Sequence, residues 1–239
     1  MKDSIRLKDV QYRTEGKLIL KGISGNISEG EITTFVGPSG AGKTTLLKML
    51  NGLLTPTSGE IIINGKDLDK YEPTELRKQV GIALQSAPML DGDVFDNLSL
   101  PLRLQERSLE KEEAVSILNV VGLEESQLHQ NVRDLSGGQK QKLSIARTLV
   151  NRPKVLLLDE ITSSLDQTSQ REIDELIQRV SKKYGTTIIW ITHNLNQALT
   201  VGTYTWILMD GELIEAGKSQ DIQNSTNDRV QAFLKGELK

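Results

Sequence analysis

The chain has 239 residues, 26% of them charged and 37% apolar, with a formal net charge of −3. This length suits one large domain, or a core with an inserted lobe, and the composition is ordinary for a globular protein. The chain contains no apolar window of transmembrane length and no signal-like N-terminus, so we expect any membrane association to go through a protein partner. The absence of cysteine excludes disulfides and thiolate metal sites, and the acidic balance argues against broad binding of nucleic acid.

The first informative element is a glycine-rich loop between a strand and a helix. Residues 37–44 read Gly-Pro-Ser-Gly-Ala-Gly-Lys-Thr, after the strand-like run Ile32–Val36 and before a helix-like run. Such a loop points backbone N–H groups at a β-phosphate, and the helix N-terminus adds its positive dipole. Lys43 is predicted to contact the β- and γ-phosphates and Thr44 to ligate Mg²⁺. The flanking elements disfavour the alternative, an ordinary glycine-rich turn. The predicted nucleotide-binding residues here are Gly37, Pro38, Ser39, Gly40, Ala41, Gly42, Lys43, Thr44 and Thr45.

The middle of the chain changes from a β-rich pattern to a helical one. Asn64-Gly65 after an Ile-Ile-Ile run predicts a hairpin, whereas residues 86–152 contain no convincing strand. Within that stretch lies Leu135-Ser136-Gly137-Gly138-Gln139, at the start of a predicted helix. A Ser-Gly-Gly turn at a helix N-terminus predicts a second anion site, although the same sequence also forms ordinary loops and caps.

A buried strand is predicted to end in two acids. Val155–Leu158 is a short apolar run, and Asp159 and Glu160 follow it. Ligands of α/β proteins bind at the carboxyl edge of the sheet, where this pair is expected to lie. We predict that Asp159 holds Mg²⁺ and that Glu160 orients or deprotonates the attacking water. The alternative, a pair of solvated acids, is disfavoured by the phosphate loop upstream.

The last third alternates helices and strands. A second buried strand is predicted over residues 186–191, with His193 just after it, and Asp210-Gly211 predicts a second hairpin. Asp166 precedes a helical pattern and makes a good N-cap. His129 has no comparable setting and is interpreted as a surface residue. Strands alternating with helices indicate an α/β fold with a mainly parallel sheet and an inserted helical subdomain.

Taken together, the phosphate loop, the strand-end acids and the sequence Leu135–Gln139 resemble the ATP-binding cassette (ABC) ATPases, whose signature motif is Leu-Ser-Gly-Gly-Gln. The resemblance extends from Leu7 to about Gly217, with the motifs in the family's order. It implies one P-loop NTPase domain over residues 1–239, with an N-terminal antiparallel β part. Residues 1–85 and 153–239 are expected to form the catalytic core, and residues 86–152 the helical subdomain that carries the signature.

The resemblance also implies that two cassettes act together. In the family the signature of one cassette closes over the γ-phosphate held by the other, so this chain, with one loop and one signature, is expected to need a second cassette. By the same resemblance Asp166 matches the loop that crosses this interface, while its N-cap role could hold at the same time. The residues expected to act in trans are Leu135, Ser136, Gly137, Gly138 and Gln139.

Further roles follow from matched positions. His193 matches the family's switch histidine, although a lone histidine at a strand end is often structural. Gln85 matches the glutamine that reaches Mg²⁺ and the attacking water, and the following Pro88–Gly92 resembles the groove for a coupling helix of a membrane subunit, with a plain exposed loop as the alternative. The aromatic residue expected to stack on adenine is displaced: its usual position is Thr14, so Tyr12 is the predicted contact.

The predicted function is an ATPase subunit that powers a separate membrane permease, using ATP and Mg²⁺. Its expected partners are integral permease subunits and a second cassette, in a homodimer, and its expected location is the cytoplasmic face of the membrane.

Ile161 replaces the family's usual proline after the catalytic glutamate, and this replacement should not abolish ATP hydrolysis. Ile161 and Tyr12, together with the segment from Gln85 to Leu98, resemble the ATPases of bacterial iron or metal efflux systems and, less closely, of phosphate importers. The alternatives are a soluble ABC ATPase acting on nucleic acid or ribosomes and a catalytically silent cassette.

Overall fold

The computed structural model describes residues 2–86 and 88–237; the predicted domain bounds also include Met1, Ala87, Leu238 and Lys239, which lie outside the described residues. The strands are β1 (Asp3–Thr14), β2 (Lys17–Ser28), β3 (Ile32–Val36), β4 (Ser58–Ile63), β5 (Lys66–Asp67), β6 (Val80–Ala83), β7 (Val155–Asp159), β8 (Thr187–Ile191), β9 (Tyr204–Met209) and β10 (Glu212–Lys218). The helices are α1 (Lys43–Leu50), α2 (Pro73–Gln79), α3 (Val94–Arg103), α4 (Lys111–Val121), α5 (Gly137–Leu149), α6 (Gln167–Tyr184), α7 (Leu195–Val201), α8 (Ser219–Ile222) and α9 (Asp228–Leu234).

The larger sheet brings the predicted site residues to one edge. Its strand order is β10-β9-β3-β8-β7-β6. Strands β9, β3, β8, β7 and β6 pair in parallel, and only β10 pairs antiparallel, with β9. The carboxyl ends of the parallel strands therefore meet at one edge, where the loops after β3, β7 and β8 begin. This sheet confirms the predicted α/β class.

The central strands are buried on both faces. In β7, Leu156 and Leu158 pack into a core with helices α3–α6, while Val155 and Leu157 pack into a second core on the opposite face. The apolar run without alternation is the pattern expected of a parallel strand covered on both sides. Ile161, the residue in place of the family's proline, is buried in the helical core.

A second, antiparallel sheet covers the other face. Its order is β2-β1-β4-β5, and it shares a core with α1 and the large sheet. The hairpin β4–β5 turns at Asn64-Gly65 and β9–β10 turns at Asp210-Gly211. All four turn residues have positive φ, between 50° and 81°, as a two-residue type I′ turn requires. Both predicted hairpins are confirmed.

The segment between β6 and β7 is helical, as its pattern predicts. Its described residues form α3, α4, α5 and short 3₁₀ turns, with one isolated bridge between Asp93 and Asn131. Helix α5 begins inside the predicted signature, at Gly137. In the part of the chain that the structure describes, no helix has the length and apolarity needed to cross a bilayer.

Candidate functional site

The glycine-rich loop is held tightly between β3 and α1. Gly37 and Gly42 have φ values of 142° and 92°, which L side chains rarely adopt. A Cβ on Gly37 would lie 1.8 Å from the carbonyl oxygen of Leu208 in β9, and one on Gly42 would lie 2.5 Å from the Leu20 side chain. Only glycine can therefore adopt the backbone path at these two positions, and such a path is typical of a loop that surrounds a phosphate. The remaining predicted loop residues are Pro38, Ser39, Gly40, Ala41, Thr44 and Thr45, at the start of α1 or just before it.

Lys43 is buried within this loop. Its Nζ donates hydrogen bonds to the carbonyl oxygens of Gly37, at 2.7 Å, and Pro38, at 2.8 Å. Burial lowers the pKa of the Lys43 ammonium, an effect that the negative charges of Glu160 and Asp159 oppose. The structure thus places this cation, with its three donors, among the loop carbonyls and beside two carboxyl groups.

Thr44 and Asp159 meet across the site. The Thr44 hydroxyl donates to Asp159 Oδ1 at 3.1 Å, which joins the start of α1 to the end of β7. Burial raises the pKa of Asp159; the Thr44 hydrogen bond opposes that shift and the Glu160 charge adds to it. A hydroxyl and a carboxylate at this distance are hard oxygen donors of the kind that Mg²⁺ takes, so the residues present fit the predicted metal.

Glu160 and His193 form a close pair. Glu160 Oε1 lies 2.6 Å from His193 Nε2, the Glu160 side chain being largely buried and His193 about half exposed. Glu160 has a φ of 51°, and its N–H donates to the carbonyl oxygen of Ile191 at the end of β8. A non-glycine residue in this left-handed region needs support from its surroundings, and such residues cluster at functional sites.

Gln85 reaches the loop that carries Glu160. Its Nε2 donates to Ser163 Oγ at 2.9 Å, and Ser163 Oγ donates in turn to the Glu160 carbonyl oxygen at 2.9 Å. Gln85, two residues after β6, is thus connected through one hydroxyl to the backbone of the predicted catalytic glutamate. Ser163 was not singled out from the sequence, where it is one of two consecutive serines without a distinguishing signal.

The signature and Asp166 lie next to each other. Ser136 caps α5: its Oγ accepts from the Gln139 N–H, and Gln139 Oε1 accepts from the Ser136 N–H. A Cβ on Gly138 would lie 2.9 Å from Ser169 Oγ, in the first turn of α6. Asp166 caps α6, and hydrogen bonds from Ser169 hold the pKa of that carboxyl below its usual range. Ser136 and Asp166 are both exposed.

The strand partner of Tyr12 approaches the phosphate loop. It pairs with Leu20 in the β1–β2 ladder, and the Leu20 side chain approaches Gly42. Tyr12 is half-buried, whereas Thr14 is exposed at the end of β1. His129 is exposed, with Nδ1 2.9 Å from Asp93 Oδ2.

Sequence reasoning missed Gln197. It is buried in α7, and its side-chain amide hydrogen-bonds Thr162, Thr192 and Asp174. The only signal in the sequence is a polar residue next to apolar ones in a short helix, which does not reveal such a network.

Known proteins are similar to this chain in sequence and in fold. A family model described as ABC transporter matches residues 20–163. The chain is 43% identical over 236 residues, 98% of this chain and 94% of the other, to the putative ABC transporter ATP-binding protein YjkB of Bacillus subtilis (strain 168). It is 36% identical over 193 residues, 81% of this chain and 86% of the other, to the probable iron export ATP-binding protein FetA of Escherichia coli (strain K12).

Solved structures agree with the sequence relatives. A dimeric, post-hydrolysis structure of the ATP-binding cassette MJ0796, bound to ADP and Pi, matches with a TM-score of 0.78 at 32% identity. The match covers 90% of this chain and 98% of that one. The chain therefore belongs to the ABC transporter family, as an ATP-binding and ATP-hydrolysing subunit.

Proposed function

We propose that this chain hydrolyses Mg²⁺·ATP at the edge of the large sheet, with Glu160 as the general base. The observation that carries the proposal is the convergence of three segments: Lys43 and Thr44 after β3, Asp159 and Glu160 at the end of β7, and His193 after β8. The loop backbone and Lys43 bind the phosphates. Thr44, Asp159 and Gln85 hold Mg²⁺, which when bound neutralises charge on the phosphate oxygens.

Within that site, Glu160 accepts the proton of the attacking water. His193, 2.6 Å from Glu160 Oε1, orients the carboxylate and reaches the γ-phosphate. Gln85 is connected to the same loop through Ser163, so a displacement of Gln85 acts on the backbone of Glu160. The Tyr12 ring is the proposed contact for adenine.

We further propose that two copies of the chain pair head to tail. Ser136, Gly137 and Gly138 of one copy then close over the γ-phosphate held by the other, beside Asp166. The exposure of Ser136 and Asp166 supports this, as does the dimeric state of the MJ0796 cassette. The division into a core, residues 1–85 and 153–239, and a helical subdomain, residues 86–152, lets the signature move relative to the phosphate loop.

The proposed partner for transport is a separate membrane permease that holds the chain on the cytoplasmic face. Its docking site is a cavity of about 610 Å³ between α2, β6, α3 and α5, lined in part by Ile82, Leu104 and Arg147. Arg147 donates to the carbonyl oxygen of Pro88, so the cavity adjoins the Pro88–Gly92 loop. The resemblance to metal efflux ATPases stays a prediction.

The purified Glu160→Gln variant tests the mechanism and the pairing together. Light scattering with and without Mg²⁺·ATP gives its mass, and assays of ATP binding and hydrolysis give its activity. The variant is expected to bind ATP, to stop hydrolysis and to shift from monomer to dimer. A monomer that binds ATP would contradict self-pairing, and hydrolysis at the wild-type rate would contradict the assignment of the base. Adding Ser136→Arg should abolish the dimer without loss of ATP binding; a dimer that persists would contradict the head-to-tail arrangement.

A further inference from the structure

One buried side chain joins the loops that carry Glu160 and His193. Gln197 Oε1 accepts hydrogen bonds from two hydroxyls, Thr162 Oγ1 at 3.2 Å and Thr192 Oγ1 at 2.6 Å. Gln197, Thr162 and Thr192 are each less than 5% exposed. A hydrogen bond in such surroundings is shielded from water, so breaking it leaves polar groups unpaired.

The two threonines flank the reacting pair. Thr162 lies two residues after Glu160, and Thr192 directly precedes His193. One oxygen atom therefore fixes the separation of two loops whose functional side chains, Glu160 Oε1 and His193 Nε2, are 2.6 Å apart. Thr192 is held from a second side as well, because its N–H donates to the Phe35 carbonyl oxygen near the end of β3.

The orientation of the Gln197 amide is determined by its third partner. Its Nε2 donates to Asp174 Oδ1 in α6 at 2.6 Å. A carboxylate only accepts, so the amide nitrogen must face Asp174 and the amide oxygen must face the hydroxyls. The Gln197 backbone N–H donates to Asn194 Oδ1, the cap of α7, which holds the residue at both ends.

We propose that Gln197 is a positioning residue for ATP hydrolysis: it holds the Glu160 loop against the His193 loop and thereby sets the geometry of the pair. This rests on the proposed roles of Glu160 and His193. Gln197 contacts neither the phosphate loop nor Lys43 through its hydrogen bonds, so its effect falls on turnover rather than on nucleotide affinity.

The first test is Gln197→Leu, which keeps similar volume and removes all three side-chain hydrogen bonds. The expected result is a loss in kcat of about 100-fold, as misplacement by about 1 Å can cause, with KM for ATP within about twofold. Wild-type kcat would overturn the proposal, because it shows that turnover does not need this tie. A rise in KM that matches the fall in kcat would also overturn it, because the effect would then not be specific to turnover.

A hydrogen-bond exchange keeps the test decisive if Gln197→Leu fails to fold. Gln197→Glu alone places a second carboxyl group against Asp174 and, at a pH high enough to ionise both groups, should lower kcat strongly. Adding Asp174→Asn supplies an amide that donates to the new carboxylate, whose other oxygen accepts from the two threonines. The double variant should recover kcat to within about threefold of wild type, a rescue that a general loss of stability does not give. Wild-type kcat for the single variant, or no recovery in the double, overturns the proposal.

Glu160→Gln, assayed beside these variants, distinguishes a failure of the positioning role of Gln197 from a failure of the proposed function of the site. If Glu160→Gln stops turnover while Gln197→Leu does not, the positioning role alone is wrong. If Glu160→Gln turns over at the wild-type rate, the proposed function of the site is wrong, and the positioning role falls with it.

Discussion

Lys43 combines a buried ammonium with neighbours that keep it charged. Burial lowers its pKa, the negative charges of Glu160 and Asp159 raise it, and two loop carbonyl oxygens accept hydrogen bonds from its Nζ. A cation held in this way loses little further hydration when it meets a phosphate, because most of its water has already been replaced.

We expect Lys43→Ala to weaken nucleotide binding by about 10- to 100-fold, since a hydrogen bond to a charged group contributes about 1.5–3 kcal/mol. Titration of a fluorescent ATP analogue measures the affinity without requiring turnover. Lys78→Ala, which removes an exposed lysine paired with Glu75 in α2, is the control and should leave the affinity unchanged. An affinity of Lys43→Ala within twofold of wild type would contradict the role of the ammonium.

The raised pKa of Asp174 predicts that its contribution to the stability of the fold depends on pH. Burial raises the pKa of this carboxyl, Gln197 opposes the shift, and Glu175 adds to it. A raised pKa means that the folded state holds the proton more tightly than the unfolded chain. The contribution of Asp174 is therefore most favourable at low pH and is lost as the pH rises from the unfolded value, about 4, through the folded one.

Asp174→Asn keeps the acceptor for Gln197 and removes this titration. The difference in Tm between the variant and wild type should therefore move in favour of the variant as the pH rises from about 4, the unfolded pKa, through the raised folded one. Thermal unfolding at a series of pH values measures it, with Glu106→Gln, at an exposed glutamate that does not contribute to the shift of Asp174, as the control. A difference in Tm that is constant with pH, or that moves in favour of wild type, would contradict the raised pKa.

At the scale of elements, the phosphate loop between β3 and α1 contains glycines that are required for different reasons. Gly37 lies against the β9 backbone, where a Cβ would meet the Leu208 carbonyl oxygen, whereas Gly40 has a φ of 79° and a Cβ added there would have no atom within 4 Å. The first glycine is required by space and by conformation, and the second by conformation alone.

These glycines form a matched pair for mutation. Gly40→Ala should cost about 1 kcal/mol of stability, the penalty of a left-handed alanine, and should keep ATP binding. Gly37→Ala must displace β9 or the loop, and we expect it to lose ATP binding and to unfold at a clearly lower temperature. Denaturant unfolding measures the stability of both variants, and nucleotide titration measures their affinity for ATP. Equal losses in the two variants would show that the close contact between Gly37 and β9 is not important.

The elements with a local signal were predicted from the sequence. The phosphate loop, the hairpin turns at Asn64-Gly65 and Asp210-Gly211 and the strand before Asp159 each depend on residues close together in the chain. Their chemistry is local: a turn type needs positive φ, and a doubly buried strand needs an unbroken apolar run.

Contacts between distant segments could not be predicted in this way. The Gln197 amide joins α7, α6 and the loops after β7 and β8, with partners up to 35 residues away. The left-handed φ of Glu160 and the bridge from Gln85 through Ser163 likewise depend on tertiary packing. Residue type and periodicity carry no information about which buried polar groups will meet.

At the scale of the whole molecule, one segment connects the proposed permease contact to the nucleotide site. Strand β6 lines the proposed docking cavity, and Gln85, just after that strand, is hydrogen-bonded to the loop of Glu160. The cavity beside β6 opens on Leu104, an apolar side chain that is 77% exposed. An exposed leucine at the rim of a cavity is available to a partner, and a charge placed there opposes apolar docking.

Leu104→Asp should therefore release the chain from its permease while leaving the cassette intact. Because Leu104 is so exposed, the substitution should change folding stability by no more than about 0.5 kcal/mol and leave ATP binding unchanged. The measurement is the fraction of a tagged chain that sediments with membranes of the cells that naturally produce it. Tyr184→Asp, at an exposed aromatic side chain that lines a different cavity, is the control and should still sediment. If Leu104→Asp sediments like wild type, the permease contacts another surface, and the path from the cavity through Gln85 to Glu160 is not the route of coupling.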